Sequence, residues 1–273
     1  MKTAVFLFLL LNLSAAAEAA TVRFQTRDGC FIEADYLKPS SGSYVFVNAH
    51  GLGSDKNEWG LFQEALSKSG SGYLSLDLRG HGRSVRCGGK SADYRAFSEA
   101  DWAAASNDIT AAAAFLKDRG VPLKEIIFCG ASVGSSLALK AALEVKGGHP
   151  AAVILLSPGL AYAGIRMDGF LPRAAGFPLL LAASPDDEYS WKSSQYLMSV
   201  ARAGDLKASF FPRPRRARRE HAPSGERRAD QKNTGLGPRS VPGKKVNYNL
   251  KMYHDIVGPR PKRQAADHIL CPI

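Results

Sequence analysis

Gly130-Ala131-Ser132-Val133-Gly134 follows the apolar run Glu125-Ile126-Ile127-Phe128-Cys129 and precedes a helix-like stretch, residues 135–146. A G-x-S-x-G pentapeptide between a strand and a helix predicts a nucleophile elbow. The turn must be sharp enough to lift the serine hydroxyl clear of the sheet, and small residues two before and two after it let the backbone fold that tightly. Alone, the pattern is also that of an ordinary Gly/Ser turn after a strand. Its reading rests on what stands on either side.

Upstream, Tyr44-Val45-Phe46-Val47-Asn48-Ala49 is short and nearly all apolar, as a strand buried on both faces is. It runs into His50-Gly51-Leu52-Gly53-Ser54 and then a helical stretch, residues 57–68, with Trp59, Leu61, Phe62, Ala65 and Leu66 at helix spacing. A second unit pairs Tyr73-Leu74-Ser75-Leu76-Asp77-Leu78 with the loop Arg79-Gly80-His81-Gly82-Arg83-Ser84 and a helix over 101–119. Further strands are predicted at 126–128, 153–156, 177–183 and 206–211, with a helix at 191–203. At the front, residues 21–26 and 31–37 alternate around Arg27-Asp28-Gly29-Cys30, which predicts a hairpin. Apolar strands alternating with amphipathic helices give an α/β fold with a doubly wound, mostly parallel sheet in one domain, residues 20–211. Fewer than twenty residues separate Pro158 from Phe177, the one place for a lid, so the lid is minimal and the site open.

Acyl transfer by a serine needs a base, an acid that orients it and donors for the oxyanion. Ser132 is the nucleophile. The backbone N–H of Leu52, in the loop after an early strand, can pair with that of Val133 to form the oxyanion hole. The acid is expected in Ser184-Pro185-Asp186-Asp187-Glu188-Tyr189, about fifty residues after the serine and in the chain order Ser, Asp, His. Asp187 is favoured over Asp186 because it stands a few residues past the small Ser184; the other carboxylates read as a solvated turn. His81 follows the wrong strand and comes far ahead of Ser132, so Asp77, Arg79 and His81 read as holding their loop.

In this order and spacing H-G-L-G, D-L-R-G-H-G-R-S, G-A-S-V-G and L-L-S-P-G-L resemble the α/β-hydrolase superfamily, in particular bacterial serine hydrolases of the esterase, lipase and serine-aminopeptidase-like type. The resemblance covers about residues 21–211. It implies Ser132 as nucleophile, Asp187 as acid and an oxyanion hole from Leu52 and Val133. It also implies a histidine shortly after the last strand, in a Gly-His-Gly-like turn before a C-terminal helix. The substrate expected is a small ester-type molecule, and no cofactor or metal is called for.

That turn is missing. After Phe211 the chain reads Pro212-Arg213-Pro214-Arg215-Arg216-Ala217-Arg218-Arg219-Glu220-His221, and 212–273 holds 8 of the 15 prolines. His221 is the nearest histidine, with His254 and His268 beyond, and none has the expected setting. Composition makes 212–273 a disordered basic tail. It carries fifteen Lys and Arg against five Asp and Glu, which leaves 21 against 20 in residues 1–211, so +10 of the net charge of +11 belongs to the tail. A nucleic-acid role is therefore not expected of the body; the alternative is a non-catalytic hydrolase-like protein whose tail contacts an anionic partner. Shifted by one base, Arg216-Ala217-Arg218-Arg219 can encode Gly-His-Gly-Ala, and residues 229–234 can encode Leu-Ile-Lys-Lys-Ile-Leu. A frameshift between about Lys207 and Arg216 accounts for both losses.

Lys2, the apolar run over residues 4–13 and the small-residue zone to Ala20 form a signal peptide, residues 1–19, too short to span a membrane. Secretion or delivery to the periplasm follows, with no membrane span after cleavage. Oxidising surroundings would permit a Cys30–Cys87 bridge, although nothing in the spacing requires one; Cys129, inside an apolar strand, reads as a buried thiol. The oligomeric state is not written in the sequence.

Overall fold

The computed structural model of the chain describes residues 18–213. Residues 1–17, most of the expected leader, and everything from Pro214 on, with His221, His254 and His268, lie outside the described residues.

β1 (Ala20–Gln25) and β2 (Cys30–Leu37) form the antiparallel hairpin that the alternating runs predict, turned at Gly29. β3 (Val45–Ala49) is followed by a 3-10 turn (Lys56–Trp59) and α1 (Gly60–Lys68), where the sequence predicts one helix. Next come β4 (Gly72–Leu76) and the two-residue strands β5 (Arg86–Cys87) and β6 (Lys90–Ser91). The helix predicted over 101–119 is two, α2 (Glu99–Ala104) and α3 (Ser106–Lys117). They break at Ala105, whose N–H bonds three residues back to Trp102 and so tightens the turn. α2 starts early because Ser98 and Asp101 cap each other's backbone in a capping box.

β7 (Ile126–Ala131), α4 (Val133–Glu144) and β8 (Ala152–Leu156) follow, then a small hairpin of β9 (Ala161–Tyr162) and β10 (Ile165–Arg166), and α5 (Met167–Phe170). The described chain closes with β11 (Leu179–Ala183), α6 (Glu188–Ala203) and β12 (Ala208–Pro212). Ten strands make one sheet in the order β12-β11-β8-β7-β3-β4-β2-β5-β6, with β1 on β2. From β12 to β4 every pair is parallel.

β3, β4, β7, β8 and β11 are buried at every position, which is why they read as apolar runs without alternation. Along β7, Ile126 and Phe128 join Leu137 of α4 and Ile109 of α3 on one face; Ile127 and Cys129 join Trp59, Phe62 and Leu66 on the other. Helices on both faces make the sheet doubly wound. The segment between β8 and β11 is no detachable cap, because Ile165, Met167 and Leu171 are buried in the larger core. Parallel pairing brings the ends of β3, β7, β8 and β11 to one edge, and the loops leaving that edge carry the candidate residues.

Candidate functional site

Ser132 sits between β7 and α4 with φ 54° and ψ −120°, a backbone state that costs a non-glycine residue about 1–3 kcal/mol. The surroundings impose it. Its N–H donates to Leu156 O of β8 at 2.9 Å, and its carbonyl accepts from Ser135 N–H at 2.9 Å. A Cβ at Gly130 would lie 2.0 Å from Gly134 O, and one at Gly134 would lie 2.3 Å from Ala49 O and 2.6 Å from His50 O. Both glycines of the pentapeptide are therefore places where backbone meets backbone. Val133 begins α4, so its N–H is among the first-turn donors without an intrahelical acceptor, at the positive end of the helix.

The loop after β3 comes against this turn. Ala49 pairs with Gly130, and a Cβ on Gly51 would stand 3.5 Å from the Ser132 Cβ. His50, fully buried, orients the loop. Its Nε2 accepts the Leu78 N–H at 3.0 Å, which leaves the proton on Nδ1 to be donated to Gly51 O at 2.7 Å. Gly51 O and the Leu52 N–H belong to one trans peptide and point in opposite directions, so holding the first aims the second away from His50. Burial, with the neighbouring His81, pushes His50 down to about 3 and keeps it neutral. Leu52 itself is 61% exposed. Sequence reasoning missed His50; the signal was an imidazole ending a strand whose other residues are nearly all apolar.

Asp187 leaves the same edge two strands away, after β11. It is exposed, its N–H donates to Ser184 O at 2.9 Å, and its Oδ1 accepts the Ser190 N–H at 3.2 Å as the N-cap of α6. The Ser190 hydroxyl donates to Ser157 O at 3.1 Å, tying the start of α6 to the end of β8. Beside this turn is a shallow, mostly apolar groove of about 450 Å³ lined by Leu160, Glu188, Tyr189, Lys192, Ser193 and Tyr196.

All three histidines among the described residues are committed elsewhere. His50 is described above. His81 is buried, donates from Nδ1 to Arg79 O at 3.0 Å, accepts the Gly53 N–H on Nε2 at 3.3 Å and stacks on Tyr94. His149 precedes β8, against Gly176 and Phe177 at the edge where those strands begin. The described residues thus bring together Ser132, Val133 and the Leu52 loop, place Asp187 on the same edge, and supply no imidazole to Ser132.

The loop after β4 is held as its residues suggest. Asp77 accepts the N–H groups of Lys56 and Arg83, both at 2.8 Å. Arg79 is buried between Asp108 at 2.8 Å and Asp28 at 2.7 Å. Burial pushes the Asp108 carboxyl up to about 6 against the pull of Arg79. Cys30 and Cys87 form a disulfide, and Cys129 is a buried free thiol whose pKa burial raises far above its usual value. Among the described residues no cluster of His, Cys, Asp or Glu could hold a metal, and no helix is long and apolar enough to cross a membrane.

Among solved structures, an esterase from Pyrococcus furiosus superposes with a TM-score of 0.59 at 20% identity, over 72% of this chain and 83% of that one. A dienelactone hydrolase from Anabaena variabilis superposes with a TM-score of 0.59 at 18% identity, over 76% of this chain and 91% of that one. An Exiguobacterium antarcticum esterase gives 0.56 at 14% identity, over 71% and 90%. At these identities the likeness is one of fold. No curated protein matches the chain. The sequence matches the model of the alpha/beta hydrolase family over residues 44–260, most of its length. Strand order, elbow and family match agree, and the chain belongs to the alpha/beta hydrolase family.

Proposed function

We propose that the protein is an exported serine hydrolase that cleaves carboxylic esters, with amides and thioesters as less favoured acyl donors. The observation that carries the reading is Ser132 in its left-handed backbone at the head of α4, pressed against the His50-Gly51-Leu52 loop. The Ser132 hydroxyl attacks the ester carbonyl carbon while a base takes its proton. The carbonyl oxygen, now anionic, accepts the Leu52 and Val133 N–H groups. Collapse of the adduct breaks the bond to the alkoxy oxygen, which leaves as the alcohol with the proton held by the base; water then hydrolyses the acyl-serine by the same route. Asp187 orients the base. The Cys30–Cys87 disulfide supports an oxidising destination and hence the leader over residues 1–19.

The base has to come from beyond residue 213. His221, His254 and His268 are the histidines there. Loss of the expected turn to a single-base frameshift between about Lys207 and Arg216 is our reading of why none has a Gly-His-Gly setting; resequencing the gene tests it, and an uninterrupted frame that keeps the Arg-rich tail in related strains' genes would overturn it. The chain as written, without its histidine turn, is expected to be inactive or nearly so; a fluorophosphonate probe is expected to label the frame-restored chain and to leave its Ser132→Ala variant unlabelled. Failure to label even a frame-restored chain would remove Ser132 as nucleophile. The commitment of all three described histidines favours a second reading, a non-catalytic protein whose basic tail meets an anionic surface. Salt-dependent retention on heparin that is lost with residues 212–273, together with an unlabelled Ser132, would favour it.

A further inference from the structure

We propose that Glu58 is a positioning residue of the oxyanion loop, acting through Gly51; this rests on the reading of Ser132 and Leu52 given above. Glu58 is held in the 3-10 turn after that loop. Its N–H donates to Asp55 O at 3.1 Å, the Asp55 carboxylate caps the turn by accepting the Asn57 N–H at 2.8 Å, and the next residue, Trp59, is fully buried. From this fixed base the Glu58 carboxylate reaches back, and its Oε2 accepts the Gly51 N–H at 2.9 Å. The Ser54 N–H donates to Gly51 O at 3.2 Å, closing the turn from the first to the fourth residue of Gly51-Leu52-Gly53-Ser54.

Gly51 has more conformational freedom than any other residue type would have there. Both of its polar backbone atoms are nonetheless taken by side chains, the N–H by Glu58 and the carbonyl by His50. Each bond fixes one of the two peptide planes that meet at Gly51, and the second plane carries the Leu52 N–H. His50 alone leaves rotation about the Gly51 Cα open; Glu58 closes it. The geometry is also near the nucleophile, because a Cβ on Gly51 would stand 3.5 Å from Ser132 Cβ and 3.7 Å from the Glu58 Oε2. Burial raises the pKa of the Glu58 carboxyl, against the Gly51 hydrogen bond, which lowers it. A partly buried acid whose carboxylate is turned onto a glycine backbone beside a nucleophile is placed to hold that backbone.

The test is the rate of Ser132 phosphonylation by a fluorophosphonate, resolved into kinact and KI, on the frame-restored full chain and on its Glu58→Ala, Glu58→Gln and Glu58→Met variants. Misaiming one oxyanion donor is expected to lower kinact by about 10- to 100-fold in Glu58→Ala and Glu58→Met, with KI within about two-fold, because the donor acts on the charge that develops in the transition state. Glu58→Gln, whose amide oxygen can accept the same N–H, is expected to recover most of kinact. An unchanged kinact in the Ala and Met variants, a loss carried by KI, or a Gln variant no faster than Ala each overturns the proposal. Should Glu58→Ala lack a cooperative thermal transition, the Met and Gln pair decides, since both keep the length of the side chain. Labelling that persists in Ser132→Ala, or none in the frame-restored parent, overturns the nucleophile itself and this proposal with it. Slow labelling confined to the Glu58 variants lacking an acceptor supports both.

Discussion

An imidazole with both nitrogens engaged acts as a strut, and His50 spans from Leu78 to Gly51 in this way. The neutral Nδ1-protonated tautomer is fixed by geometry, because a backbone N–H can only donate to Nε2. The folded protein therefore refuses a proton that the unfolded chain accepts below about 6.5. As the pH falls from there toward about 3, the contribution of His50 to stability is lost at about 1.4 kcal/mol per unit; above the unfolded value it is fully present. Asp108, raised to about 6, works in the opposite sense and adds stability as the pH falls from 6 toward its ordinary value near 4. The expected result is a His50 ring that still shows the neutral Nδ1–H tautomer by nitrogen NMR at pH 5; a charged ring at that pH would contradict the strut. At this scale the sharp turn at Ser132 was legible, because the glycines that permit it stand beside it in the chain. The parts of His50 and Glu58 were not, since each depends on a backbone atom that only folding brings near.

Single elements show the same division between what is local and what is not. The elbow's residue types stand within five positions of each other, while the contacts that enforce them come from β8, where Leu156 O accepts the Ser132 N–H, and from the Ala49 and His50 carbonyls against Gly134. Ser132→Gly is expected to raise stability by about 1 kcal/mol by releasing the left-handed strain, and Gly134→Ala to lower it by about 3 kcal/mol through the collision with Ala49 and His50 carbonyls. Urea unfolding of the two variants checks both signs; an alanine variant as stable as the parent would mean the close approach can relax. Helix starts were harder to read. α6 begins at Glu188, not at Trp191 where the apolar period becomes visible, because Asp187 caps it, and a cap has no period. The break at Ala105 has no sequence signal either, as alanine is the best of helix formers.

For the whole molecule, the order of strands and helices was legible because each buried parallel strand writes itself as an apolar run. The Cys30–Cys87 bridge was not, since it needs β5 to return to β2 in one register after 57 residues, and cysteine spacing holds no such information. Reduction, or Cys87→Ser, is expected to lower stability by about 4 kcal/mol through the freed loop, measured as a shift of the urea midpoint; no shift would mean that the hairpin contacts alone hold the flap. The segment between β8 and β11 has a different weight. Insertions in surface loops are usually tolerated, yet here Ile165, Met167 and Leu171 are core residues, and lengthening the segment would unseat them. The shallow groove at Leu160, Tyr189 and Tyr196 is accordingly easier to reshape by point substitution than to cover with a new roof, and a fold built this way diversifies by side chain sooner than by loop.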